Sequence, residues 1–446
     1  MLKIRVDKDI EITGKLIQEI ITQRGDKPSK RFKKLQNYYE GEHDILERTK
    51  KDPSKPNNRL VVNYAKLITD IATGYFVGIP ITYDSDEKEA LKEIFDVLDA
   101  NYEEDVNYEL AKQISISGTA FELIYANEDS DIEFKPVDNA SIIPVYTDCI
   151  QERLLFAVRI YETKDILSGD TKDKAEVYTD THTIYFEQGS GIMTEVDRKE
   201  HFFGDVPVIE YTNNNESLGD FEVVLSLIDA YNKTQSDSAN DFEDFTDAFL
   251  YLVGYNGTQS SDVQQMKEDK VLLLDKEGSA GWLIKNINDA AVENYKNRLQ
   301  ADIHSVSQTP DLTDEKFAGN VSGESMKYKT WGLEQVSAIK ERKFKTGLIK
   351  RLKLISNYLN IKGGNFDPNL INLTFHRNLP KNLLEITDMF QKLGGSLSEK
   401  TTLSLHPAVD DPDAEIARKE EDAVRKGKQT QEALQFQYDS LLNTPQ

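Results

Sequence analysis

The chain has 446 residues, 38% of them hydrophobic and 30% charged, which exceeds one ordinary core and implies several substructures. Its 78 acids against 54 bases give a formal net charge of −24. Such a surface repels free nucleic acid, whose binding depends on Lys and Arg displacing counterions. That argues against a conventional DNA-binding protein, though not against one that lets DNA pass without holding it.

One cysteine, Cys149, leaves no intrachain disulfide and no cysteine-based zinc site. The start, "MLKIRVDKDIEITGK", lacks the apolar centre of a signal peptide. No run of about 18 apolar residues offers a membrane span. The expectation is a soluble protein made in a reducing cytoplasm, with no membrane partner.

Along the chain, 10–24 and 29–40 read as short helices, the second basic and then aromatic, with Gly41 as its stop. "KKDPSKPNN" is a polar loop. "NYAKLITDIATGYFVG" follows as a helix, with Asn63 as N-cap and Tyr64, Leu67, Ile68, Ile71 and Tyr75 at helical spacing. "IPITYDS" reads as a strand, and the stretch after it as one or two helices. From 119 to 212 the period shortens, and β-branched and aromatic runs punctuated by Asp, Asn and Gly predict a β-rich domain.

Residues 219–249 read as one uninterrupted helix about 47 Å long. It carries Asp220, Glu222, Asp229, Asp237, Asp241, Glu243, Asp244 and Asp247 against a single base, Lys233. Its middle, Asn232 to Asn240, has no large apolar residue, which makes it a poor core element. Strand-like runs within 251–287 form a small β-containing insertion, and 289–307 returns to helix. Two roughly antiparallel helices with a β tip make a stalk, which needs neighbours to bury its stripe. A loop, "TPDLTDEKFAGNVSGESMKYK", leads to a second long helix, 322–360, with the opposite charge bias. A loop and strand, short helices, a charged helix and a tail end the chain.

Site motifs are sparse. There is no phosphate-binding glycine loop, so a P-loop motor is excluded. The six histidines are scattered, and no nucleophile elbow occurs. His43 reads as a capping or packing residue. Asp237, Asp241 and Asp244 share a helical face that suits Mg²⁺ in principle, the basis of an alternative reading as a metal-dependent DNA-processing enzyme. The plainer reading is a solvated acidic face. The basic stretch Arg24 to Lys34 and the basic helix 340–353 suit either nucleic-acid contact or salt bridges to acidic surfaces of the same ring, since acids are plentiful in the chain.

Six stretches in order resemble the portal proteins of long-tailed, siphovirus-type bacteriophages: "LQNYYEGEHDI", "NNRLVVNYAKLITDIATGYFVGIPITY", "ISISGTAFELIYANEDSDIEFKPVDNASIIPVY", "HFFGDVPVIEYTNNNESLGDFEVVLSLIDAYNKTQSDSANDFEDF", "NVSGESMKYKTWGLE" and "DDPDAEIARKEED". The resemblance implies an α+β, mainly helical portal fold assembled as a dodecameric ring at one capsid vertex. It assigns a wing to 1–218, stem helices to 219–250 and 289–308, a clip to 251–288 and a tunnel loop to 309–321. A long wing helix and return strand fall in 322–377, and a helical crown with the tail in 378–446.

The implied function is structural: a channel for DNA packaging, retention and ejection. The implied partners are other copies of the chain, double-stranded DNA, the terminase large subunit, a head–tail connector, and the capsid and scaffolding proteins. The tunnel loop would meet DNA through Asp314, Lys316, Phe317, Asn320 and Ser322. The acidic stem would line the channel with Asp229, Asp237, Asp241 and Asp244. The clip would meet terminase or connector through Tyr255, Asn256, Gln259, Lys276 and Glu277. No cofactor, metal or catalytic residue is expected. A different ring-forming connector is the remaining alternative.

Overall fold

The computed structural model describes residues 3–53, 55–87, 91–164, 166, 169–189, 191–245, 249–253, 279–283, 289–312, 323–378, 398–404, 409, 412 and 415–427. The chain divides into two units, Met1–Asp311 with Gly332–Asn378, and Leu312–Trp331 with Leu379–Gln446.

In the larger unit, β1 (Ile4–Val6) precedes α1 (Gly14–Arg24) and α2 (Lys27–Glu40). The Thr13 hydroxyl accepts the Leu16 N–H at 3.3 Å and starts α1. Helix α3 (Tyr64–Val77) is capped as its sequence predicts, the Asn63 side chain accepting the Lys66 N–H at 2.9 Å. Strand β2 (Thr82–Asp84) leads to α4 (Lys92–Ala100) and α5 (Glu103–Ser117), which break at Asn101 and Tyr102.

The β-rich region holds β3 (Thr119–Ala126), β4 (Ile132–Val137), β5 (Ile142–Thr147), β6 (Leu154–Lys164), β7 (Thr171–Tyr178), β8 (His182–Gly189), β9 (Ile192–Glu200) and β10 (Val208–Thr212). They form two sheets, β1-β5-β6-β7-β8-β9 and β10-β3-β4. Among the described strands only β1 pairs parallel, with β5. Helix α1 buries Ile17 and Ile20 against Val145, Phe156 and Phe186 of the larger sheet. Phe121, Ile142, Ala157 and Val208 form a separate cluster that joins the two sheets.

Helix α6 (Leu225–Phe245) follows a 3₁₀ turn at Glu222–Val224. The uninterrupted helix expected over 219–249 is therefore shorter at both ends. Side chains of Asp220 and Glu222 fix the first residues in a turn, and Phe249 belongs to β11 (Phe249–Val253), paired antiparallel with β12 (Ser279–Leu283). Helix α7 (Asp289–Val306) returns along α6: Ile228 clusters with Ile303 at one end, and Phe242 faces Val292 at the other.

The second long helix is also divided, into α8 (Gly323–Lys329) and α9 (Trp331–Ile361), with a break at Thr330. Strand β13 (Asn372–Thr374) pairs with β2. Phe344, Leu348, Leu352 and Ile355 of α9 bury themselves against α4, α5 and the β10-β3-β4 sheet. Gly347 is required there, because a Cβ would lie 2.3 Å from the Tyr211 ring. In the smaller unit, α10 (Glu399–Ser404) is tied to the charged helical stretch 415–427 by an ion pair from Lys419 to Glu399.

Candidate functional site

The channel acids proposed from sequence lie on α6, so the site is built from its base outward. The chain reaches that base by a close crossing. Gly118, at φ +78°, would put a Cβ 2.2 Å from the Ser217 carbonyl oxygen, and Gly219 would put one 2.2 Å from that of Ile116. Only glycine permits both approaches.

Two charge clamps secure the crossing. Lys340 of α9 donates to the Asp220 carboxylate at 2.6 Å, with the two side chains 1% and 5% exposed. The same carboxylate accepts from the Ser115 hydroxyl at 2.6 Å and the Asn213 amide at 2.7 Å. Arg31 of α2 donates to both oxygens of Glu222, at 2.7 and 2.5 Å, and to the Ser217 carbonyl at 2.8 Å. Glu222 also accepts the Gly219 N–H at 3.0 Å, as a capping carboxylate does.

The apolar-poor middle of α6 adds nothing to an apolar core, but one of its faces is buried through polar side chains. Asn232, Ser236 and Asn240 stand four residues apart and face an extended strap, residues 58–62. The Asn232 side-chain oxygen accepts the Val62 N–H at 2.8 Å, Ser236 Oγ accepts the Leu60 N–H at 2.9 Å, and the Asn240 side-chain oxygen accepts the Asn58 N–H at 2.7 Å. Four helical residues rise about 6 Å and two extended residues about 6.6 Å, so the two repeats stay in step. A helix side thereby supplies what a neighbouring strand would supply in a sheet.

His43 completes this arrangement. Its ring stacks on Tyr38 with centroids 4.4 Å apart, and its Nε2 lies 3.0 Å from the Tyr38 carbonyl oxygen. Its Nδ1 meets the Asn232 amide nitrogen at 2.9 Å. Asn232 gives its oxygen to Val62, so it donates to Nδ1, and His43 must be neutral with its proton on Nε2. Burial pushes the imidazole below its ordinary range. The capping-or-packing reading of His43 thus matches its surroundings.

The proposed channel acids do not stand in equivalent places. Asp229 accepts the Tyr38 hydroxyl at 2.7 Å, and burial, with that carboxylate beside it, pushes the phenol well above its usual range. Asp237 pairs with Arg48. Asp241 lines the groove between α6 and α7 with Phe242, Val292 and Lys296. The side chain of Asp244 lies outside the described residues, as do the tunnel-loop residues Asp314, Lys316, Phe317, Asn320 and Ser322 and the clip residues Tyr255, Asn256, Gln259, Lys276 and Glu277. Phe242 and Tyr295 are 63% and 51% exposed.

The basic helix turns two of its charges, Lys340 and Arg351, inward. Arg351, fully buried, donates to both oxygens of Glu122 at 3.0 and 2.7 Å and to the Asn107 side-chain oxygen at 2.8 Å. It lies over the Phe134 ring at 4.6 Å. Tyr211 donates to Glu122 at 2.8 Å. Beyond it, Glu103 accepts from Tyr83 and Asn107, and burial pushes its carboxyl pKa up. Lys350 donates to the Val208 carbonyl at 3.0 Å, and Lys353 pairs with Asp205 at 3.5 Å. In the other basic stretch Arg24 donates to the Ala140 carbonyl at 2.5 Å. Within the chain, ion pairs engage Arg31, Lys340, Arg351 and Lys353, and backbone carbonyls engage Arg24 and Lys350.

Among the described residues no group of three or more His, Cys, Asp or Glu is placed to hold a metal ion. No helix among them is long and apolar enough to cross a membrane.

Comparison with known proteins gives consistent matches. The family described as phage portal protein, SPP1 Gp6-like, matches residues 18–429. The portal protein of Bacillus phage SPP1 is 28% identical over 436 residues, covering 91% of this chain and 86% of that protein. The portal protein of Clostridium phage phiCD119 is 26% identical over 423 residues, covering 88% and 92%. A solved structure, the neck of an empty GTA particle computed with C6 symmetry, covers 83% of this chain and 92% of its own at 10% identity and a TM-score of 0.49.

Proposed function

The chain belongs to the SPP1 Gp6-like family of phage portal proteins, and from that premise we propose that it forms a closed ring around a DNA channel at one capsid vertex. It is a structural virion component rather than an enzyme. The family match over residues 18–429 carries this reading. The paired helices α6 and α7 support it: they leave Phe242 and Tyr295 exposed, and identical neighbours in a ring would cover them.

In this reading the ring has about twelve copies. Terminase drives DNA inward through it, and the genome is retained and later ejected along the same path. The ribbon β11–β12 and the residues between its strands, among them Tyr255, Asn256, Gln259, Lys276 and Glu277, meet terminase and then the head–tail connector. Asp314, Lys316, Phe317, Asn320 and Ser322 form the loop that touches DNA. Capsid and scaffolding proteins meet the outer parts. Asp229, Asp237, Asp241 and Asp244 together supply the negative charge that keeps a duplex centred in a confined lumen.

Particles assembled with Asp241→Lys and Asp244→Lys test this function. The expected result is normal ring and head assembly with less encapsidated DNA per particle. Full heads with a lumen made basic at both positions would remove the charge argument.

A further inference from the structure

Helix α1 covers only part of the six-stranded sheet. Before it, residues 7–13 cross the remaining end of that sheet as an open arm. Between the arm, the β5–β6 turn, the β7–β8 turn and the inner side of β9 lies an open cleft of about 1290 Å³. It exceeds the roughly 300–1,000 Å³ of small-molecule pockets, and the arm, the turns and residues of β6, β8 and β9 line it.

The lining is amphipathic. Ile10, Ile12 and Leu155 are half-buried at the edge of the core beneath α1 and contribute its apolar part. Around them stand seven carboxylates against three cations, Lys8, Arg153 and Arg198. One of those cations is already taken, since Arg198 pairs with Glu195 at 2.9 Å. Asp9, Glu11, Asp148 and Asp180 have no ion-pair partner among the described residues and lie on the exposed rim or close to it. The free edge β9 is bulged at Val196, opposite Tyr185 and Phe186 of β8, and ends in Asp197, Arg198, Lys199 and Glu200, features that oppose strand addition. Recognition in this place must therefore run through side chains.

We infer that this cleft docks a cationic, partly apolar peptide segment of another protein. Its apolar residues would cover Ile10, Ile12 and Leu155, and its Lys or Arg residues would meet the four free carboxylates. The charge sign selects this occupant: an acidic or neutral segment leaves those carboxylates uncompensated when water is excluded. The site belongs to the β-rich region and is independent of the channel, so its failure would leave the proposed function standing.

Cys149, the only cysteine of the chain, is exposed and lines the cleft, so the native protein carries its own reporter. The experiment follows the rate of Cys149 alkylation by iodoacetamide in the full-length protein with three eight-residue probe peptides, alternating Lys–Leu, Lys–Ser or Glu–Leu. At ten times its Kd, a peptide that fills the cleft slows alkylation about tenfold by mass action. Protection is expected from Lys–Leu alone, with removal by high salt. Asp9→Lys with Asp180→Lys should weaken it about tenfold, against no change for Glu128→Lys on a remote turn.

Absence of saturable protection by Lys–Leu would overturn the inference. Equal protection by Lys–Ser would overturn the apolar part and reduce the site to a charged surface. Undiminished protection in the doubly reversed variant would place the peptide elsewhere and overturn it as well. The salt series on the unaltered protein decides the charge argument should the double variant fail to fold.

Discussion

Asn232 and Val62 sit opposite one another, the side chain of the first accepting the backbone N–H of the second at 2.8 Å, and this pair fixes how the strap lies on α6. Asn232→Leu removes the acceptor of the part-buried Val62 amide and the donor to His43. Leaving buried polar groups unpaired costs about 1–3 kcal/mol each. The variant should lose several kcal/mol in denaturant unfolding and lose exchange protection at the amides of Val62, Leu60 and Asn58. Native protection at all three would show that the ladder does not hold the strap.

The His43 ring gives the same contact a pH dependence. Burial holds its pKa below the ordinary value of 6.5, so the unfolded chain binds this proton more readily than the folded one. Its contribution is complete above about 6.5 and is lost as the pH falls below that value through the lower folded pKa. Stability therefore rises with pH across the window. Asp229 and Asp44 face the ring and partly oppose the shift. His201, also held low by burial, adds a slope of the same sign. His43→Gln should reduce the slope of unfolding free energy below about pH 6.5 without abolishing it. An unchanged slope would remove His43 from this role.

Arg351 separates two carboxylates that look alike in sequence. Glu122→Gln takes away the partner of a fully buried guanidinium and should cost about 3–5 kcal/mol. Glu103→Gln keeps the oxygen that accepts from Tyr83 and Asn107, and burial already disfavours the ionised carboxyl. Its stability contribution is fullest below the ordinary carboxyl range and is lost as pH rises through the raised folded value. At neutral pH Glu103→Gln should change stability by less than about 1 kcal/mol. Thermal or denaturant unfolding compares the two; equal losses would contradict the assignment.

The base of α6 offers a paired test. Lys340→Met leaves the Asp220 carboxylate buried with only neutral donors and should cost about 3–5 kcal/mol. Lys340→Met with Asp220→Asn should recover part of that loss, because the two groups act as one unit. Additive losses in unfolding measurements would mean that the two do not interact.

How far the sequence foretells these features depends on what their signals rest on. Helix α3 was legible because Asn63 and the apolar spacing after it act locally. The strands between 119 and 212 were legible because their period is local too. Strand β1 was not: three residues, Ile4–Val6, show no period, and their partner lies at Val145–Thr147. The ladder was visible as Asn232, Ser236 and Asn240 four apart, but its meaning needs the strap, about 170 residues earlier in the chain. The basic bias of 340–353 was plain from composition. That Lys340 and Arg351 face inward depends on Asp220 and Glu122, which reach them only through the fold.

The central claim is that identical copies close around a channel and cover the stem faces exposed here. Negative-stain imaging of the purified full chain, with mass from light scattering, tests it most directly. The account predicts rings of about twelve subunits with a central hole. A stable monomer or dimer at high concentration, with no ring in the images, would contradict it.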